Sequence, residues 1–156
     1  MIIRAAQTAD ADQIMPFWND AIRNTTITFN PVEKSLEDVR AAIAQNCLVW
    51  QEGARILGFA SYFPFRGGEG YRFTVEHSIM LHPDGHGRGG GRALMEALCA
   101  HAKAAGKHSM FAGCSAENPG AVAFHAALGF QAVATLPEVG FKFGRWIDLV
   151  LMQKIL

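Results

Sequence analysis

The chain has 156 residues, half of them hydrophobic, and its 14 basic and 14 acidic side chains give a net charge of zero. This length predicts a single domain over residues 1–156, with enough apolar residues for a core. A neutral composition gives no indication of a basic surface that would bind nucleic acids or anionic membranes. No apolar run approaches the roughly 20 residues that span a bilayer. The N-terminus has no signal-peptide layout, and the cysteines lack paired spacing, so we expect a cytoplasmic protein with reduced thiols.

The first third of the chain predicts a strand, two helices and a hairpin. Residues 2–5 are a short strand candidate, and Thr8 or Asp10 can cap a helix that ends near Asn24. The apolar residues of that helix recur at helical spacing: Ile14, Phe17, Trp18 and Ile22. Ser35 and Asp38 resemble a capping box that begins a second helix. Residues 47–51 and 56–63 then predict the two strands of a hairpin.

The segment between the two helices, residues 25–31, is rich in β-branched residues and ends in an Asn-Pro turn signal. We therefore expect a loop or an extended segment. Phe29 stands out as an aromatic residue in that loop and is a candidate wall of a pocket.

The second half of the chain predicts four more strands and two more helices. Strands are expected at residues 71–81, 108–114, 132–136 and 146–154, with a loop at 139–145 between the last two. Helices are expected at 92–105, which Gly106 ends, and from Asn118, whose side chain can cap the helix, to Gly129. The order of the elements predicts one α/β domain with a mixed sheet.

A glycine-rich stretch, residues 85–94, lies between the strand at 71–81 and the helix at 92–105. It contains five glycines, three of them consecutive. Glycine permits positive φ and close approach of a ligand to the backbone. Backbone N–H groups at the positive end of a helix bind anions, so this stretch predicts a site for a group such as a pyrophosphate.

Glu76 is the most unusual residue of the strand that precedes the glycines. If the strand alternates regularly, Arg72, Thr74, Glu76, Ser78 and Met80 share one face. A carboxylate in the middle of an apolar strand is costly unless it is paired or used. Two interpretations remain open: Glu76 is either a buried ion-pair partner of Arg72, or a general base in a cleft.

Three other motifs give weaker signals. His77, His82, His86, Asp84 and Glu76 match no zinc spacing, so no metal site is expected. The Gly85-x-Gly87-x-x-Gly90 pattern formally fits a dinucleotide fingerprint but lacks the acidic residue about twenty positions later. The sequence after the glycines lacks the Gly-Lys-[Ser/Thr] of nucleotide-hydrolysing phosphate loops.

Residues 86–94 resemble the acetyl-CoA pyrophosphate loop of the GNAT N-acetyltransferases, whose pattern is [Gln/Arg]-x-x-Gly-x-[Gly/Ala]. Gly89 and Gly91 match its glycines, and His86 stands where Gln or Arg is usual. Residues 118–130 resemble the second cofactor motif of that superfamily, with His125 at a position that a Tyr usually holds. The segments 25–29, 73–78, 125–130 and 139–148 further resemble the phosphinothricin and methionine sulfoximine acetyltransferase branch.

This resemblance implies a GNAT-type fold, a mixed and mostly antiparallel central sheet flanked by helices, and acetyl-CoA as co-substrate. It also implies a homodimer. The cofactor-binding residues that it implies are Ile79, Met80 and Leu81 at the pantetheine arm, Gly87, Arg88, Gly89, Gly90, Gly91 and Arg92 at the pyrophosphate, and Asn118.

The resemblance implies roles for the remaining candidates as well. Glu76 is expected to deprotonate a substrate amine, directly or through water, and His125 is placed to protonate the departing thiolate. Phe29, Tyr71, Arg72 and Glu76 are expected to contact the amine substrate. Arg72 can either bind a substrate carboxylate or pair with Glu76, and the sequence leaves that choice open.

The expected reaction is acetylation of the α-amino group of a small amino-acid analogue such as phosphinothricin, methionine sulfoximine or methionine sulfone. The same chemistry on a polyamine, an aminoglycoside or a protein N-terminus is the first alternative. The neutral composition favours a zwitterion over such cationic acceptors. A non-catalytic acyl-CoA-binding module is a further alternative, and a dinucleotide-binding protein is the weakest.

Overall fold

The computed structural model describes residues 1–156 and contains one seven-stranded sheet. The strands are β1 (Ile2–Ala5), β2 (Cys47–Glu52), β3 (Arg55–Pro64), β4 (Thr74–Leu81), β5 (Ser109–Ser115), β6 (Gln131–Lys142) and β7 (Arg145–Ile155). Their spatial order is β1-β2-β3-β4-β5-β7-β6, and only the β4–β5 pair is parallel. The predicted mixed, mostly antiparallel α/β sheet is confirmed.

Four α-helices flank the sheet: α1 (Ala11–Asn24), α2 (Leu36–Ile43), α3 (Gly90–Ala104) and α4 (Pro119–Ala127). The starts of α2 and α4 follow the predicted caps, whereas the Asp10 side chain before α1 makes no cap bond. The Ser35 side chain accepts the Asp38 N–H, and the Asp38 carboxylate accepts the Ser35 N–H, which completes the capping box. The Asn118 side chain accepts the Ala121 N–H at the start of α4. No helix has the length and hydropathy that crossing a membrane requires.

The two faces of the sheet bury separate apolar clusters. Helices α1 and α2 pack on one face, where Val49, Phe59 and Met80 point into the first cluster. Helices α3 and α4 lie on the other face, where Trp50 and Ala60 belong to the second cluster. Successive strand residues such as Val49 and Trp50 enter opposite clusters because side chains alternate across a strand.

Strands β4 and β5 separate beyond a short paired region. Their ladder runs from Thr74 opposite Ser109 to His77 opposite Ala112 and then stops. The remaining residues of β4, from Ser78 to Leu81, pair with β3 on one side and with no strand on the other. The fold thus leaves backbone N–H and C=O groups of both central strands free along a slot.

Two predicted boundaries are wrong. The strand at 71–81 begins only at Thr74, because residues Glu69–Tyr71 form a 3₁₀ turn and the Arg72 N–H bonds to the Glu69 carbonyl. The predicted loop at 139–145 is mostly strand, because β6 continues to Lys142 and turns at Phe143 and Gly144, both with positive φ. Cross-strand packing stabilises this hairpin, in which the Phe141 and Trp146 rings lie 4.7 Å apart.

Candidate active site

A cleft of about 460 Å³ opens where β4 and β5 separate. Its floor is formed by residues 76–80 of β4 and 113–115 of β5, and its far wall by the first two turns of α4. The near wall comes from Trp18 of α1 and from the connection between α1 and α2, including Ile27, Thr28, Phe29, Asn30 and Lys34. The cleft therefore brings together Glu76, His125, Asn118, Ile79, Met80 and Phe29 from the predicted site.

Glu76 is a half-buried carboxylate without a cationic partner. It takes part in none of the ion pairs of the chain. Desolvation raises the pKa of its carboxyl group above the ordinary value. The side chain faces Gly113 of β5, where a Cβ atom would lie 3.8 Å from Glu76 Oε2. A desolvated, unpaired carboxylate in a cleft has the properties of a general base.

Arg72 does not line this cleft, and of the two alternatives left open for Glu76, the ion pair with Arg72 is not formed. Its Nε atom is 3.5 Å from Glu69 Oε1, and its guanidinium stacks over the Phe73 ring at 4.2 Å. Tyr71 belongs to the 3₁₀ turn and is 44% exposed. Both residues precede β4, which begins at Thr74, so the strand alternation expected for them does not apply. Neither lines the cleft around Glu76, where both were predicted to contact the substrate.

Among the residues that line the cleft, Lys34 is the one with a positively charged side chain, and no arginine lines it. Its Nζ atom lies 4.7 Å from the centre of the Trp18 ring, a cation–π contact that keeps the chain over that ring. The buried Asn19 side chain donates to the Lys34 carbonyl at 2.9 Å and accepts its N–H at 2.8 Å. Lys34 belongs to no ion pair, so its ammonium is available to an anionic ligand.

His125 is buried with its two ring nitrogens engaged. Nδ1 lies 2.7 Å from the Ala121 carbonyl oxygen, and Nε2 lies 3.0 Å from Nε2 of His77. Desolvation lowers the pKa of His125, although the bond to the Ala121 carbonyl opposes that effect. Desolvation, and then the neighbouring His125, lower the pKa of His77 to about 3. The pair is therefore neutral at physiological pH.

The glycine-rich stretch, here called the cradle, has the backbone geometry that an anion site requires. A 3₁₀ turn at Pro83–Gly85 follows β4, Gly87 and Gly89 have φ of 72° and 78°, and α3 begins at Gly90. No side chain caps α3 and no acidic residue lies in its first turn, so its leading N–H groups are free to meet an anion. Gly90 packs on Trp50, where an added Cβ would lie 2.3 Å from the ring.

The arginines of the cradle are held by neighbouring carboxylates. Arg88 pairs with Glu52, and Arg92 Nε lies 2.8 Å from Glu96 Oε1. Both guanidinium groups are thus engaged with carboxylates, and Arg92 is held along α3 by Glu96. A cofactor phosphate that binds at the start of α3 meets the positive end of the helix dipole.

The slot between β4 and β5 connects this cradle to Glu76. Ile79, Met80 and Leu81 present backbone groups that no strand on the β5 side uses. A pantetheine arm has amide groups that pair with such an edge as an added strand would. Asn118 also borders the slot and keeps its amide N–H groups available, because the helix cap uses only Oδ1. The residues present thus fit acetyl-CoA.

Comparison with known proteins agrees with this geometry. The acetyltransferase (GNAT) family pattern matches residues 16–130. The chain belongs to the GNAT acetyltransferase family. It is 37% identical to an L-methionine sulfoximine/L-methionine sulfone acetyltransferase of Salmonella typhimurium over 98% of this chain and 93% of that protein. It is 34% identical to a phosphinothricin N-acetyltransferase of Alcaligenes faecalis over 97% of this chain and 81% of that protein.

Solved GNAT structures superpose closely on the chain. A Salmonella typhimurium acetyltransferase with its cofactor acetyl-CoA has a TM-score of 0.93 at 37% identity, covering 99% of this chain and 93% of that one. A ribosomal-protein-alanine N-acetyltransferase from Brucella melitensis has a TM-score of 0.96 at 36% identity, covering 100% of both chains. The GNAT fold and the expectation of an acetyl-CoA-dependent N-acetyltransferase are confirmed.

The sequence alone did not identify several residues of this acetyltransferase cleft. Lys34 and Trp18 reach it from different elements, and the only sequence signal was an isolated lysine after the Asn-Pro turn. Gly113 was assigned to a strand, but its place opposite Glu76 depends on the β4–β5 register. The described chain holds no cluster of three or more histidine, cysteine or acidic side chains that could bind a metal ion.

Proposed function

We propose that the chain acetylates the α-amino group of a small amino-acid analogue of the phosphinothricin, methionine sulfoximine or methionine sulfone type, with Glu76 as general base. The observation that carries this proposal is the position of Glu76, a half-buried carboxylate without a cationic partner, at the point where β4 and β5 separate. The names of the relatives give the class of substrate.

The proposed reaction begins with proton removal, because an ammonium group has no lone pair with which to attack. The desolvated Glu76 accepts that proton, directly or through one water molecule. Acetyl-CoA supplies the acetyl group as a thioester. Backbone N–H groups of β4 near Ile79 are fixed by the strand, so they can stabilise a negative oxygen without reorganising. The proposed role of His125 is to protonate the departing thiolate or to hold that wall of the cleft.

The charges of the cleft favour a zwitterion. Glu76 is complementary to an α-ammonium group and Lys34 to a carboxylate, and both line the same 460 Å³ space. We assign the substrate carboxylate to Lys34 and not to Arg72, because Arg72 pairs with Glu69 outside the cleft. Phe29 and Trp18 provide apolar walls for the rest of the side chain.

A protein N-terminus is the second candidate acceptor, because the Brucella melitensis relative is a ribosomal-protein-alanine N-acetyltransferase. A peptide shares the free amino group but has no carboxylate next to it. The contribution of Lys34 therefore distinguishes the two acceptors.

A panel of amines tests the proposal through release of free thiol from acetyl-CoA. Methionine sulfone, methionine sulfoximine and phosphinothricin are compared with an alanine-initiated peptide, a polyamine and an aminoglycoside. The expected order places the three amino-acid analogues first. Binding of acetyl-CoA without turnover of any amine would exclude an enzyme of this kind and favour a cofactor-binding module.

We further propose a cytoplasmic homodimer. Support for a second copy comes from the exposed apolar residues of the β6–β7 hairpin, including Val139, Phe141, Phe143 and Trp146. Support for the compartment comes from three free cysteines, which a reducing environment preserves. Light scattering of the wild type and of Phe141→Glu measures the mass, and the variant is expected to be monomeric.

A further inference from the structure

Lys142 of β6 is a buried lysine whose ammonium contacts the loop over the cleft. Its side chain is 3% exposed, and its Nζ donates to the Thr25 carbonyl at 2.6 Å and the Thr28 carbonyl at 2.7 Å. No carboxylate pairs with it. Desolvation lowers its pKa. A buried ammonium is costly, so its two carbonyl bonds are the contacts that compensate for its position.

These bonds fix a segment with little regular structure of its own. Residues 25–30, here called the acceptor loop, join α1 to the approach to α2 and form no helix or strand. Within the loop, Thr25 and Thr28 hydroxyls accept only local N–H bonds from Ile27 and Asn30. The loop nevertheless supplies four residues of the cleft wall, Ile27, Thr28, Phe29 and Asn30.

Gly140, two residues before Lys142 on the same face of β6, provides a second contact. A Cβ at Gly140 would lie 2.5 Å from Cδ2 and 2.6 Å from Cε2 of Phe29. The φ angle of Gly140 is not positive, so the space taken by Phe29 is the constraint on that position. The strand therefore holds the loop at its backbone through Lys142 and at the Phe29 ring through Gly140.

A third contact is more exposed. Thr26 Oγ1 donates to Glu117 Oε1 at 3.1 Å, and Arg145 of β7 binds both oxygens of Glu117 at 2.6 and 2.9 Å. The Arg145 side chain is half exposed, and solvent weakens such a pair. Lys142 and Gly140 are thus expected to dominate the attachment of the loop.

We propose that Lys142 is a positioning residue that, with Gly140, clamps the acceptor loop and thereby sets the affinity of the active site for its amine substrate. The inference rests on the proposed function for its kinetic consequence. Both residues lie near the end of β6 and outside the cleft, yet under this proposal they control the position of the wall that the amine contacts. The cradle at the start of α3 takes part in none of these contacts with the loop.

Kinetics of Lys142→Met and Gly140→Ala test the clamp. Methionine keeps the length of the side chain but lacks its N–H donors, and the alanine displaces the Phe29 ring without touching the ammonium. Each variant is expected to raise the KM of the amine about tenfold while the KM of acetyl-CoA changes less than about twofold. Lys154→Met is the matched control, because Lys154 also donates to a backbone carbonyl, that of Leu128, at 2.7 Å but away from the loop.

Hydrogen exchange separates this inference from the proposed function. Amides of residues 25–30 are expected to exchange faster in Lys142→Met than in the wild type or in Lys154→Met. Unchanged exchange there, or an equal rise in both KM values, would overturn the clamp. If the wild type turns over no amine, the proposed function fails, and the exchange experiment still decides whether Lys142 holds the loop.

Discussion

The Nε2 atoms of His77 and His125 face each other at 3.0 Å inside the protein, and this contact determines their protonation. Nδ1 of His125 carries a proton, because the Ala121 carbonyl beside it can only accept. Nε2 of neutral His125 is then an acceptor, and Nε2 of His77 must donate to it. In this arrangement neutral His125 has no free proton for a thiolate, which favours the second of its two proposed roles, holding that wall of the cleft.

Replacement of either histidine should reveal this coupling. His125→Phe leaves the His77 N–H buried without an acceptor, and His77→Phe leaves the His125 nitrogen without a donor. Each single variant is expected to lower the free energy of unfolding by about 1–3 kcal/mol, and the double variant by less than the sum. Urea denaturation of the four proteins measures the cycle. Strict additivity would contradict the assigned hydrogen bond.

The same pair predicts loss of stability in acid. The pKa of His77 falls from about 6.5 in the unfolded chain to about 3 in the folded protein, so the unfolded state binds more protons between those values. Stability should therefore decrease as the pH falls through that window, by up to about 1.4 kcal/mol per pH unit for this one group. The His77→Phe/His125→Phe variant should show a shallower decrease. Equal slopes in the two proteins would rule out this source of acid sensitivity.

The sequence predicts the fold well because its signals are local. Hydrophobic spacing identifies α1, the capping box locates Ser35, and Asn118 marks the start of α4, and all three are confirmed. The errors arise where pairing between strands decides. Strand β6 extends to Lys142 because its last residues pair with β7, and the irregular register between Leu136 and Gly140 interrupts the alternation that predicts a strand.

The residues of the candidate site likewise fall into those that the sequence identified and those that it misplaced or missed. Glu76 and the glycine cradle were found because a charge in a strand and clustered glycines are unusual in themselves. Arg72 was assigned to the cleft by strand alternation, which fails because the strand starts at Thr74. Lys34 was missed because its position depends on Trp18 and Asn19, two residues of another element.

Glu76→Gln tests the proposed base. The variant should bind acetyl-CoA normally, while kcat/KM for the amine near neutral pH falls by about 10²–10⁴-fold. Activity should recover partly in alkali, where the amine loses its proton without help. In the wild type, kcat/KM should decline as the pH falls through a Glu76 pKa that desolvation holds above the ordinary carboxyl range. Full activity of the variant at neutral pH would remove Glu76 as the base.

Gly90→Ala tests the cradle. The new Cβ would meet the Trp50 ring at 2.3 Å, and the fully buried Trp50 has little room to move. The start of α3 must therefore shift, and we expect a stability loss of about 1–3 kcal/mol with a higher KM for acetyl-CoA. Gly67→Ala is the control, because nothing lies within 4 Å of its added Cβ. A normal KM for acetyl-CoA in Gly90→Ala would show that the N-terminus of α3 does not contribute to cofactor binding.

Lys34→Met and Arg72→Met test which cation binds the substrate carboxylate. Lys34 stands in the cleft on Trp18, whereas Arg72 pairs with Glu69 outside it. Loss of a charge-assisted bond is expected to raise the KM of methionine sulfone about tenfold in Lys34→Met and to change it little in Arg72→Met. An amine of similar shape without a carboxylate should show no difference between Lys34→Met and the wild type. A larger rise of this KM in Arg72→Met than in Lys34→Met would assign the substrate carboxylate to Arg72. That residue would then have to reach the cleft by a rearrangement of the 3₁₀ turn before β4.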